Sequence, residues 1–353
     1  MSKIWVASGT PGPNGHKFIH SLNGITWVAS PPVQGVNWEY TNKIKFWTVN
    51  NQPRWVAVGK GTYVSGFQCP ILTSTDGINW VGTTFNNYDF SGSTVVCKGV
   101  DYSGTAWIVS GLRLQSDDKG YIFMAKSYDG ITWDYFTPGN KTGKQYSDIS
   151  DVKWADDKWM VCGLFYYEPA GKYDMYSTDT KKYNPSANDW KGVRLSEYVL
   201  TATGINSYNN NYVILPVDGN TFFGDKYYVS SGSLSNLTWE EKHSKLNGGN
   251  TDLSISGTRI LMCGKSSTQV PIIYSDNGSV WAHATVQNNA PIQEKVLCLS
   301  RLKEVNEQQP HVLAGCDNGK ILYGTGNGSF WNIIIPANNI KLGEVRTIER
   351  NNA

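Results

Sequence analysis

The chain is predicted to be all-β, a seven-bladed β-propeller with four-stranded blades that spans residues 1–353 as one domain. Three observations predict this: a short turn motif recurs seven times, an apolar run precedes each copy, and another strand-like segment follows each copy.

The turn motif reads S/T-x-D/N-G-x-x-W. It stands at Ser21–Trp27, Ser74–Trp80, Ser127–Trp133, Ser275–Trp281 and Thr325–Trp331. A weaker copy, Ser233–Trp239, has Ser and Asn in place of the turn pair, and another starts at Ser177 and reaches its tryptophan only at Trp190, after an insertion. Asp-Gly or Asn-Gly between β-prone residues predicts a hairpin closed by a two-residue type I′ turn, with φ positive at both central residues. The turn residues are Asn23, Asp76, Asp129, Asp179, Asn277 and Asn327. Their expected role is structural, because the turn itself requires Asp or Asn. Each tryptophan is large enough to wedge between neighbouring sheets.

Upstream of each turn lies a near-continuous apolar run: IWVASG from Ile4, RWVAVG from Arg54, AWIVSG from Ala106, KWMVCG from Lys158, NYVILP from Asn211, RILMCG from Arg259 and HVLAGC from His311. Such runs read as strands buried on both faces. A further segment follows each tryptophan: NKIKFW from Asn42, VVCKGVDY from Val95, SDISDVKW from Ser147, LTATGINSY from Leu200, TDLSIS from Thr251, KVLCLSR from Lys295 and EVRTIER from Glu344. With the two strands of the hairpin, these make four strands per repeat. The chain therefore begins at the second strand of a blade and ends on a first strand. Glu344–Arg350 is predicted to pair with the Ile4 strand, so that both chain ends complete one blade and no open sheet edge remains.

The motif resembles the Asp-box, or BNR, repeat of the sialidase-like propellers, and the resemblance covers essentially the whole chain. It implies a propeller whose Asp boxes are structural and lie away from the catalytic face. This sequence departs from the family pattern in one respect: Gly follows Asp or Asn directly, where the family has an intervening residue. A sialidase-like site would also need an arginine triad, a tyrosine activated by glutamate and an acidic aspartate. The family's Arg-Ile-Pro signature is absent, and the seven arginines (54, 113, 194, 259, 301, 346 and 350) do not suggest the triad. The sequence therefore predicts no enzyme and no catalytic residue. Another glycoside hydrolase or lyase of this fold is the alternative, with Asp117, Asp118, Glu168, Asp174 and Glu197 as the carboxylates from which a pair could form.

In a blade whose strands run up and down, the connections from second to third strand share a face with those from the fourth strand to the next blade. These loops are the longer and more varied, as loops that carry function tend to be. They hold exposed-looking aromatics: Trp38, Tyr40, Tyr63, Phe67, Tyr88, Phe90, Tyr121, Tyr146, Tyr166, Tyr167, Phe222 and Phe223. Of these, Trp38, Tyr40, Tyr88, Tyr121, Tyr146, Tyr166, Tyr167 and Phe223 are the candidate ligand-binding residues, suited to stacking on sugars or anchoring a protein.

Charge and cysteine content narrow the partner class. Thirty-one basic against 29 acidic residues leave a formal charge of +2, which favours a glycan or protein partner over nucleic acid or an anionic membrane. Six cysteines fall without CxxC spacing. Cys162, Cys263 and Cys316 sit on or beside the apolar runs, where they read as small buried residues; no metal or cofactor is expected. MSKIWVASG already belongs to the first repeat, which predicts no signal peptide, and no apolar stretch is long enough to span a membrane. Cytoplasmic synthesis follows, and a virion or phage particle component or a lectin-like protein fits this combination.

Overall fold

The structure, a computed structural model, describes residues 3–86, 90, 92–115, 120–136, 148–155, 157–164, 174–178, 190–194, 202–208, 211–216, 225–231, 238–244, 246, 248–256, 258–266, 270–287, 292–300, 312–325 and 328–351. Among these residues there is no α-helix, and thirty strands form seven sheets.

The sheets repeat one plan, each running from an inner strand outward. Sheet 1 orders β30 (Glu344–Arg350), β1 (Trp5–Thr10), β2 (Phe18–Ser21) and β3 (Val28–Ala29). Sheet 2 orders β4 (Val36–Val49), β5 (Gln52–Tyr63), β6 (Ile71–Ser74) and β7 (Val81–Gly82). Sheet 3 orders β9 (Ser93–Tyr102), β10 (Trp107–Gln115), β11 (Gly120–Ser127) and β12 (Thr132–Phe136), with β8 (Thr84–Asn86) added outside. Sheet 4 orders β13 (Asp148–Ala155), β14 (Lys158–Leu164), β15 (Asp174–Thr178) and β16 (Trp190–Arg194). Sheet 5 orders β17 (Ala202–Tyr208), β18 (Asn211–Pro216), β19 (Lys226–Ser231) and β20 (Thr238–His243). Sheet 6 orders β21 (Asn250–Ser256), β22 (Arg259–Gly264), β23 (Ile272–Ser275) and β24 (Ala282–His283). Sheet 7 orders β26 (Val296–Leu299), β27 (Val312–Cys316), β28 (Ile321–Thr325) and β29 (Phe330–Ile334), with β25 (Thr285–Val286) outside.

Four strands per sheet is thus not uniform. The link leaving sheet 2 lies parallel on the outer strand of sheet 3 as β8, and the link leaving sheet 6 does the same on sheet 7 as β25. A single parallel bridge from Gln34 to Val81 repeats the device between sheets 1 and 2. Each link covers an outer edge that would otherwise present unpaired N–H and C=O groups.

The core lies between the sheets. Clusters of fully buried side chains join sheets 1 and 2 around Trp80, sheets 2 and 3 around Trp133, sheets 5 and 6 around Trp281, sheets 6 and 7 around Trp331, and sheets 7 and 1 around Trp27. The wedge is direct at Trp80, whose ring stacks on Phe18 of the preceding sheet with centroids 4.5 Å apart. All six cysteines are buried, and none of them forms a disulfide.

The turns differ from expectation. Asn23, Asp76, Asp129 and Asn277 do not have positive φ; only the following Gly24, Gly77, Gly130 and Gly278 do, at 70–75°. The type I′ geometry is replaced by side-chain capping. Ser74 Oγ accepts the N–H of Gly77 at 2.9 Å, and Asp76 Oδ1 accepts those of Ile78 and Asn79, both at 2.8 Å. The same bonds recur at Ser21/Asn23, Ser127/Asp129 and Ser275/Asn277. An Asx-type cap satisfies several backbone donors at once, so Asp or Asn is required for its oxygen and only glycine for its φ. Pairing resumes beyond the tryptophan, as Thr73 with Val81 and Lys126 with Asp134. The connection is therefore a capped loop that ends in a buried tryptophan. A pair of positive φ angles, as type I′ demands, occurs instead at Asn50 and Asn51, between the paired Val49 and Gln52. The turns at Asp179 and Asn327 lie outside the described residues.

Burial raises the affinity of Asp76 and Asp129 for a proton, but the amides they accept outweigh it and hold both carboxyls below their usual range. A depressed carboxylate stabilises the fold above its unfolded value, near 3.9, and that contribution is lost as pH falls through the lower folded value. Asn keeps the accepting oxygen, as Asn23 and Asn277 show. The double variant Asp76→Asn, Asp129→Asn is therefore expected to melt within about 1 kcal/mol of the parent at pH 7. It should also lose less stability below about pH 4; parallel acid titrations of the two proteins would count against this account of the caps.

Candidate functional site

A bulge recurs on every inner strand. β4 also breaks register at Glu39, and the break common to all seven sheets falls at Arg346, Asn42, Lys98, Ser150, Thr203, Thr251 and Leu297. An extra residue turns its side chain out of the alternation, and six of these seven line one cavity of about 300 Å³. In sheets 1, 2, 3 and 6 the neighbouring strand accommodates the bulge with glycine. A Cβ on Gly9, Gly59, Gly111 or Gly264 would stand 1.9–2.1 Å from a carbonyl oxygen of the bulged strand. The glycine of the WVASG-type run therefore marks a close backbone approach, not the end of a strand.

The inner strands are tied at this level. Ile44 N–H donates to Thr347 Oγ1 at 3.0 Å, Asn42 Nδ2 to the Cys97 carbonyl at 2.8 Å, Trp154 N–H to Asp101 Oδ2 at 2.9 Å and Leu299 N–H to Asp252 Oδ2 at 2.8 Å. Each bond crosses from one sheet to the next. Inner strands also touch in unbroken succession, including β26 with β30 and β30 with β4.

The cavity is charged on two sides. Sheets 1, 2 and 3 contribute Arg346, Lys43 and Lys98; sheets 4 and 6 contribute Asp151 and Asp252; Glu349 of sheet 1 is the acid within the cationic sector. Lys43 Nζ reaches Asp151 Oδ1 at 2.6 Å across the cavity. Burial disfavours the Lys43 ammonium, but Asp151 and Asp252 win and raise its pKa. At Asp252 the balance reverses: burial outweighs Lys43 and the amides of Leu299 and Leu253, and its pKa is pushed up to about 6. Asp101, which does not line the cavity, pairs with Lys45 at 3.0 Å and Lys153 at 3.7 Å. Burial opposes its ionisation, yet these lysines hold its carboxyl well below the usual range. Among the described residues no group of three or more His, Cys, Asp or Glu is arranged to hold a metal ion.

Two of the sequence-predicted aromatics are half-buried against arginines. Tyr40 carries the Arg346 guanidinium 5.0 Å from its ring centroid, and Tyr121 carries that of Arg113 at 5.5 Å. Trp38 does not share their setting. It is 3% exposed, its Nε1 donates to Thr41 Oγ1 at 3.0 Å, and its ring fills the space opened by Gly59 and Gly61. Its expected ligand contact is thereby corrected to a core role. Phe90 is likewise buried, against Phe85 and Phe123, whereas Phe67 is exposed. Tyr63 is half-buried and donates to the Thr83 carbonyl. Tyr88, Tyr146, Tyr166, Tyr167, Phe222 and Phe223 lie outside the described residues, as do Asp117, Asp118, Glu168, Glu197 and the side chain of Asp174.

The cavity residues belong to segments that read as strands, whereas the aromatics that stand out in the sequence belong to segments that read as loops. The sequence does carry a signal: NKIKFW, SDISDVKW and TDLSIS place charged or polar residues at alternate positions of strand-like segments. Alternation in an innermost strand leaves one face pointing at the centre.

No protein-family profile matches the chain, and no curated protein matches it. Solved structures do. An ancestral GH74 enzyme is similar over 94% of this chain and 44% of its own, with TM-score 0.59 and 13% identity. A Bacteroides uniformis protein described as a 6-phosphogluconolactonase is similar over 99% of this chain and 100% of its own, with TM-score 0.55 and 10% identity. YCF48, solved bound to a D1 peptide, is similar over 86% of this chain and 88% of its own, with TM-score 0.50 and 14% identity. At these identities the likeness concerns the fold alone. This chain has the β-propeller fold.

Proposed function

We propose that the seven sheets are the blades of one ring, closed where β30 pairs with β1, and that this ring is a non-catalytic binding propeller. Its loop-rich face receives a protein partner at the mouth of the central cavity. The observation that carries this reading is the pairing of half-buried tyrosines with arginines, Tyr40 with Arg346 and Tyr121 with Arg113, on strands that lead into the loops of that face. An aromatic ring held by a guanidinium is a stiff, amphipathic contact surface of the kind that anchors interfaces. A propeller of similar fold bound to a peptide is compatible with such use.

A peptide-display selection against the full chain, run beside a glycan array, tests the reading. A selected peptide should lose at least about tenfold in affinity to Tyr40→Ala and to Tyr121→Ala. A glycan hit with no peptide would replace the partner class, and peptides indifferent to both substitutions would remove this face from recognition.

The alternative, glycoside hydrolysis, draws on Asp252, whose raised pKa suits a general acid. Its two oxygens each accept a backbone N–H, from Leu253 and Leu299, both at 2.8 Å, which favours the structural role. Aryl-glycoside turnover abolished by Asp252→Asn would reinstate the enzyme.

A further inference from the structure

We infer that the central cavity is a binding site for a small zwitterion, its ammonium directed to Asp252 and its carboxylate to Arg346 and Lys98. Charge placement is the first argument. Lys43 and Asp151 neutralise each other at 2.6 Å, which leaves Asp252 as the negative pole and Lys98 with Arg346, whose guanidinium also bonds Glu344 and Asn42, as the positive one, so the cavity presents a dipole. A lone anion or cation would meet one sector and be repelled by the other, whereas a molecule carrying both signs meets both.

The second argument is the state of the groups. Asp252 accepts one backbone N–H on each oxygen, which leaves a lone pair on each for another donor. Burial outweighs the nearby Lys43, so its carboxylate is under-compensated, and an added ammonium would repay that deficit. Asn42, Ser150, Thr251 and Thr347 supply neutral hydrogen-bonding groups between the two poles. The third argument is construction. The cavity exists because bulges recur on the inner strands, those of sheets 1, 2, 3 and 6 admitted by a close backbone approach at a glycine of the neighbouring strand. About 300 Å³ holds on the order of ten water molecules, room enough for an amino acid or a dipeptide.

The inference rests on the ring only in that inner strands from several sheets enclose one cavity. The two fail separately: a chain that stays folded without residues 341–353 removes the ring, while a failed titration removes only the ligand.

Isothermal titration of the full-chain protein at pH 7 with glycylglycine, N-acetylglycine and glycinamide decides the matter. Glycylglycine should bind saturably, and each blocked analogue should bind about tenfold weaker or worse. Lys98→Gln and Asp252→Asn should each weaken glycylglycine by a similar factor. Lys98→Gln leaves the amide-capping carboxylate in place and so reports even where Asp252→Asn fails to fold. Affinity for glycylglycine should also fall between pH 7 and 5 in the parent as Asp252 takes up a proton. The other charged groups facing it, Lys43, Lys98, Arg346, Asp151 and Glu349, are present in every arm. No saturable heat at millimolar glycylglycine, equal affinity for N-acetylglycine, or Lys98→Gln binding like the parent would each overturn the assignment.

Discussion

Deleting residues 341–353 is expected to abolish the cooperative thermal transition rather than shift it. The segment carries β30, whose residues pair with β1 from Trp5–Arg350 to Thr10–Glu344. It also buries Leu342, Val345 and Ile348 in the cluster joining sheets 7 and 1. Three fully buried aliphatic side chains represent about 5–9 kcal/mol of transfer free energy, comparable with the whole stability of an ordinary domain. Further bonds go with them: Ile4 N–H to Asn351 Oδ1 at 2.8 Å, Asn351 N–H to the Ile4 carbonyl at 3.2 Å, and Ile44 N–H to Thr347 Oγ1. The deletion bares the inner edge of β1, an invitation to aggregation. Calorimetry of the truncated and full chains measures the effect; a transition within a few degrees of the parent would contradict the closure.

Gly59→Ala is expected to cost about 3 kcal/mol or more, at or beyond the top of the range for overpacking. The new Cβ would lie 2.0 Å from the Tyr40 carbonyl oxygen and 2.9 Å from the Trp38 ring. No rotamer relieves a contact with a carbonyl, so either the bulge at Asn42 flattens or the sheet separates. Gly15→Ala is the control: its φ of 75° lies in the left-handed region and nothing stands within 4 Å of its Cβ. That change should cost about 1–2 kcal/mol from backbone conformation alone. Denaturant midpoints for the two variants compare them directly, and equal losses would mean that the bulge is not rigid.

Much of the fold was legible because its signals are local. Strand content follows from apolar runs such as RWVAVG, and the repeat from turn residues at constant offsets from a tryptophan. The positions of Asp76 and Asp129 were legible for the same reason, although the mechanism differs. A two-residue turn and a capped loop both call for Asp followed by Gly, and only the φ angles and the amide bonds to Ser74 and Asp76 separate them. The candidate site was read less well. Trp38 and Tyr40 are two residues apart with similar neighbours, and nothing local tells which ring meets solvent. Gly59 and Gly61, across the ladder, leave room for Trp38 inside, while Tyr40 meets Arg346 from the other end of the chain.

The sequence alone determined the four repeated strands of each sheet, the positions of the capped turns and the wedge tryptophans, because each depends on residues within a few positions of one another, whereas β8 and β25 come from pairing between sheets. Only the tertiary structure decided where charge collects. Lys43, Lys98, Asp151, Asp252 and Arg346 stand on separate sheets, and their shared cavity arises from bulges whose register is set by pairing between strands. Coulomb energy depends on distance through space, and no spacing along the chain encodes the 2.6 Å between Lys43 and Asp151.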